Sequence, residues 1–179
     1  MKASETTLQA CLSRPIQYTV PIFQRSYSWT LEQTNQLFKD ILRLATNPTI
    51  PMHFLGSLVY VQGGLYTTAT VVELIVIDGQ QRLTTITLFL AALAHHFSSI
   101  GDEQSAREIR GHYLLNHDTS ESQKYKILLT QNDKATLIQI IEGKQLLDPI
   151  SDRIKQNYDY LLRCIESSKI SPSSLYEAF

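Results

Sequence analysis

The junction at residues 71–97 constrains this chain most. VVELIVI (71–77) is dense in β-branched residues and reads as a strand. Asp78-Gly79 closes it, and RLTTITLFLAALAHHF (82–97) follows at once. That segment is apolar on most faces, so it reads as a helix central to the core. A buried strand turning directly into a buried helix requires an α/β fold.

The rest of the chain is read around this junction. Residues 18–23 are short and extended, and Pro21 holds Val20 in extended geometry. Thr30 and Gln33 form a capping-box pair for a helix with Leu37, Phe38, Ile41, Leu42 and Ala45 on one face, ended by Asn47-Pro48. FLGSLVYVQ (54–62) reads as a buried strand turned by Gly63-Gly64, in a hairpin with 71–77. Beyond Gly101 the pattern is helical over 102–115, a short strand is expected at 125–130, and a helix at 133–141. Asp148-Pro149 opens a longer helix, with Ile150, Ile154, Tyr158, Leu161, Leu162 and Ile165 as its apolar stripe through Glu166. Ser171-Pro172 begins another. The expected organisation is an α/β core over 1–130 and a helical extension over 131–179, the latter read as the start of a longer C-terminal region.

VIDGQQRLTT (76–85) carries the chemistry. Gly79 permits a tight turn and close approach of a ligand. The first N–H groups of a helix lack intrahelical partners and, with the macrodipole, favour an anion. Arg82 offers a planar fork for phosphate oxygens. Gln80 and Gln81 can donate to a phosphate or orient a water, and Asp78 can hold magnesium through waters. The alternative is a plain turn in which Asp78 caps the helix. VPIFQRSYSW (20–29) packs Phe23, Tyr27 and Trp29 around Gln24 and Arg25. Such a set can stack on and hydrogen-bond to a base. Equally, Phe23 and Trp29 can be core anchors, with Arg25 paired to a carboxylate.

Composition narrows the options. With 16 basic and 17 acidic residues the net charge is −1, so nucleic-acid binding by bulk electrostatics alone is not expected, and any DNA contact would be local. Cys11 and Cys164 give neither a disulfide framework nor zinc-ligand spacing, which suits a reducing cytoplasm. No apolar run approaches the length of a membrane span, and no secretory signal core is present, so no membrane is expected. Adjacent His95 and His96 point apart on a helix, and His112 and His117 share no face, so histidine metal binding is not expected.

Taken together, VPIFQRSYSW, FLGSLVYV and VIDGQQRLTT resemble the GmrSD-type family of bacterial restriction proteins. The likeness is to its N-terminal domain-of-unknown-function family 262, and it runs from about Ile16 to Glu166. The resemblance implies a ParB/sulfiredoxin-like α/β (α+β) core, a small mixed sheet with packed helices. It implies binding and hydrolysis of GTP or ATP with Mg²⁺ through Asp78, Gly79, Gln80, Gln81 and Arg82. Thr85 and Arg25 would assist in holding the nucleotide. Pro21, Phe23, Gln24, Arg25 and Tyr27 would correspond to the segment associated with sensing modified DNA. An HNH-type nuclease domain or a separate effector subunit is the implied partner, together with self-association and a role in defence against phage. Two alternatives remain: a non-catalytic sensor of nucleotide or modified DNA, and a ParB-like nicking nuclease.

Overall fold

The computed structural model describes residues 4–47, 49–50, 52–63, 71–117, 119–147 and 150–179. Its architecture is mixed α/β. A first helix α1 (Leu8–Leu12), to which the sequence reading gave no element, is capped by the Thr7 hydroxyl accepting from the Ala10 N–H at 3.1 Å. Strand β1 (Ile16–Thr19) and helix α2 (Leu31–Thr46) follow. The capping box expected at Thr30 and Gln33 is formed, and Asn47 caps the other end. Strands β2 (Val59–Gln62) and β3 (Val72–Asp78) precede the long α3 (Gln80–Ser99). Helix α4 (Glu103–Ile109) widens into a π turn at Arg110–Leu114, where the sequence suggested one continuous helix to residue 115. Strand β4 (Ile127–Leu128) leads to α5 (Gln131–Ile141), α6 (Asp152–Glu166) and α7 (Pro172–Glu177).

The sheet runs β2-β3-β1-β4. β1 is parallel to both β3 and β4, and β2 is antiparallel to β3. The hairpin read from the sequence is therefore present. The expectation of a buried strand over 54–62 is corrected. Only Val59–Gln62 pairs, and all four of its residues are exposed. Gly56 sits at φ +99°, which breaks the extended run, and β2 lies at the sheet edge, where neither face is covered. β-Branched density reports strand tendency, not burial. Of the turn expected at Gly63-Gly64, only Gly63 lies within the described residues.

α3 is the axis of the core, as its composition predicts. Leu88, Phe89, Leu90, Ala92, Leu93 and Ala94 are inaccessible to solvent. Helices α4, α5, α6 and α7 pack against it, and one buried cluster joins Tyr18, Leu74 and Val76 of the sheet to Leu137, Ile141, Ile154, Leu161 and Ile165 of the later helices. Each such side chain contributes roughly 1.5–3 kcal/mol when fully buried. The helix start expected at Asp148-Pro149 lies outside the described residues. Ile150 precedes the observed helix, whose N-cap is Ser151. Among the described residues no helix is long and apolar enough to cross a membrane.

This topology gathers three carboxyl-terminal strand ends. β3 runs into α3 through Gly79, β4 runs into α5 through Thr130, and β1 between them releases the loop 20–29. Open parallel sheets place ligands at such ends.

Candidate functional site

The loop 20–29 is held at nearly every residue. The Gln24 N–H closes a turn on the Pro21 carbonyl at 3.0 Å, and the Gln24 side chain donates to the Ile77 carbonyl at the end of β3 at 2.9 Å. Gln80 Nε2 donates to the Arg25 carbonyl at 3.1 Å. Gln81 makes three bonds: Nε2 donates to the Ser26 carbonyl at 3.3 Å, and Oε1 accepts from the N–H groups of Ser28 at 2.8 Å and Trp29 at 3.2 Å. The Tyr27 N–H donates to the Asp133 carboxylate at 2.7 Å, and the Tyr27 hydroxyl meets that of Thr85 at 2.7 Å. Burial pushes the Tyr27 phenol above its ordinary pKa, so it stays protonated.

The motif of residues 78–82 is therefore divided. Gln80 and Gln81 face inward, both buried, and fasten the loop to α3. Thr85, one turn further on, is fully buried, and its hydroxyl also donates to the Gln81 carbonyl at 2.9 Å. It is not brought to the open side. Between these groups lies a cavity of about 10 Å³, lined by Arg25, Gln80, Gln81, Thr84, Thr130 and Asp133 among others. That is room for a single water. Thr130 Oγ1 is buried beside it without a partner among the described residues.

Asp78, Gly79 and Arg82 are less buried: Asp78 is exposed, and Gly79 and Arg82 are half-buried. Gly79 is the N-cap of α3, at φ +92° with no side-chain cap. The reading of Asp78 as a simple cap is thus removed. A Cβ on Gly79 would stand 2.9 Å from the Ser57 carbonyl oxygen, and one on Gly56 would stand 2.6 Å from Arg82 Nη1. Two glycines at positive φ therefore let the segment 56–58 lie directly over the helix start. The first intrahelical bond runs from the Leu83 N–H to the Gly79 carbonyl at 3.0 Å. The N–H groups of Gln80, Gln81 and Arg82 are thus free of intrahelical partners. Asp78 is exposed, and among the described residues neither it nor Arg82 enters a salt bridge. An exposed carboxylate, a half-buried guanidinium beneath Gly56 and a helix start thus stand within five consecutive residues.

The family model of the GmrSD restriction endonuclease N-terminal domain matches residues 8–177, nearly the whole chain. The chain belongs to that family. No curated protein matches it. Within this GmrSD N-terminal domain the resemblance drawn from three sequence motifs corresponds to three segments that meet: the loop 20–29, the segment 56–58 and the start of α3.

The remaining sequence-predicted residues sort as follows. Phe23 is 78% exposed, so it is no core anchor, while Trp29 packs partly against the core. Arg25 is exposed and enters no salt bridge among the described residues. Pro21 shapes the turn beneath Phe23. Among the described residues no three His, Cys, Asp or Glu side chains group to hold a metal. Sequence reasoning missed Gly56 and Asp133. Gly56 had a readable signal, since an isolated glycine inside a strand pattern marks a close backbone approach. Asp133 had none. Its carboxylate, buried at the start of α5, also accepts from the Ser151 hydroxyl at 2.6 Å.

Proposed function

We propose that the chain binds a nucleoside triphosphate, GTP or ATP, at the first turn of α3 and hydrolyses it. In this reading it is the nucleotide-responsive domain of a modification-dependent restriction protein that acts against phage DNA. One observation carries the proposal: at a helix start whose first N–H groups lack intrahelical partners, Asp78 and Arg82 enter no salt bridge among the described residues, while the neighbouring amides of Gln80 and Gln81 are engaged with the loop 20–29.

The roles follow from the chemistry. The helix start and the Arg82 fork hold phosphate oxygens and stabilise charge that develops on them. Asp78 orients the attacking water. Asp78 also suits Mg²⁺, which usually takes one or two carboxylates together with substrate phosphates and waters; bound there, the ion would neutralise phosphate charge. Gln80 and Gln81 act by holding the loop 20–29 in place. That loop presents Phe23 and Arg25 outward from a backbone fixed by Pro21, Gln24 and Tyr27, as a sensor of modified DNA requires. An HNH-type nuclease domain or effector subunit would receive the signal.

Phosphate release from GTP and ATP with magnesium tests this, with and without modified DNA, in wild type, Asp78→Ala and Arg82→Ala. Turnover that disappears in both variants is the expected result. Unchanged turnover in Arg82→Ala would refute the assignment. A second reading, a sensor that binds nucleotide without turning it over, is favoured by the engagement of the Gln81 amide with backbone, which withdraws it from positioning a water. Calorimetric binding of GTP or ATP with no phosphate release would select it.

A further inference from the structure

Beside the proposed phosphate site runs a segment, residues 52–58, that has no regular secondary structure yet is anchored along its length. His53 Nε2 stands 3.4 Å from the Asp40 carboxylate of α2. Leu55 and Leu58 pack against the core. Gly56 lies on the Arg82 guanidinium, and the Ser57 carbonyl lies over Gly79. Between the anchors of His53 and Leu55, Phe54 is 83% exposed. The residues on both sides of it are thus anchored while its own ring stands in solvent. A phenyl ring held in water forgoes the large apolar burial that aromatic side chains otherwise contribute.

We propose that Phe54 is the platform on which the base of the bound nucleotide stacks, a proposal that rests on the nucleotide reading above. The placement fits that ligand. Phe54 stands two positions before Gly56, a span of at most about 7 Å. A nucleotide whose phosphates meet Arg82 and the helix start carries its base one ribose away from them. Stacking on an aromatic face tolerates any base, so Phe54 adds affinity for the nucleoside part without choosing guanine over adenine. Phe23 stands on a different loop and is left to the DNA-sensing reading.

Calorimetric titration of the chain with GTP, ATP and inorganic tripolyphosphate, each with magnesium, tests the assignment in wild type, Phe54→Ala and Phe54→Tyr. Wild type should bind the nucleotides about tenfold or more tighter than tripolyphosphate. Phe54→Ala should lose that preference with tripolyphosphate affinity unchanged, and Phe54→Tyr should retain it. Wild-type nucleotide affinity in Phe54→Ala would overturn the platform and leave the nucleotide reading standing. Equal weakening toward tripolyphosphate would also overturn it, showing that Phe54 supports Arg82 instead. So would a Phe54→Ala variant that loses affinity only for a single-stranded oligonucleotide, which would give the ring to a DNA base. Failure of wild type to bind any of the three probes would remove the nucleotide reading and the platform together.

Discussion

Within the motif at the first turn of α3, two buried amides meet the backbone of the loop 20–29; beside them, a carboxylate and a guanidinium find no partner of opposite charge among the described residues. The four side chains come from five consecutive positions. Asp78 ends β3, and successive residues of the helix that follows point about 100° apart, so adjacent letters of one motif serve different ends. The inward pair is a stability device. Asp78 and Arg82 enter no salt bridge among the described residues, which leaves both charges free for a ligand.

The contrast is open to experiment, first on the inward side. Gln81→Ala removes three hydrogen bonds, each worth about 1 kcal/mol net, and leaves backbone donors of the loop without acceptors. The expected loss is about 3 kcal/mol in urea unfolding, and a loss below about 0.5 kcal/mol would break the comparison. Asp133→Ala strips the acceptor from the Tyr27 N–H and the Ser151 hydroxyl, and about 2 kcal/mol should follow in the same measurement. Gly56→Ala joins the two sides. A Cβ at φ +99° is strained by about 1–2 kcal/mol and displaces the Arg82 guanidinium, so stability and nucleotide affinity should fall together. Asp78→Ala should change stability by less than about 0.5 kcal/mol while abolishing turnover.

The smallest effect belongs to neither side. Glu142, at the far end of α5, accepts from Lys124 at 2.8 Å, from Lys144 and from the Tyr125 hydroxyl. These bonds, Lys124 foremost, hold its carboxyl at about 2, below its ordinary 4.5. A depressed folded pKa adds stability that is complete above pH 4.5 and is lost as pH falls toward 2. Glu142→Gln should flatten the acid fall in melting temperature across that window and leave nucleotide affinity untouched.

Much of this was legible in the sequence. The Thr30 and Gln33 capping box, the apolar α3 and the hairpin all follow from local pattern, and local pattern was enough to bring the three motifs of the site to notice. What was lost depended on tertiary partners. Gln80 and Gln81 look alike as free donors and as loop clamps until the loop 20–29 is folded over them. Nothing in the sequence marks the polar Asp133 and Asn157 as tertiary partners. Yet Asn157 is buried, donating to the Trp29 carbonyl at 3.0 Å and accepting from the Thr34 hydroxyl. The exposed edge position of β2 is invisible to a count of β-branched residues, because edge and central strands share it.

Thermal unfolding with and without GTP or ATP and magnesium tests the division of labour across the first turn of α3 in one measurement. A ligand of the folded state alone raises the melting temperature. Arg82→Ala should melt where wild type does and gain nothing from nucleotide, whereas Gln81→Ala should melt lower before any nucleotide is added. An Arg82→Ala variant that keeps the full nucleotide shift, or a Gln81→Ala variant that melts with wild type, would contradict it.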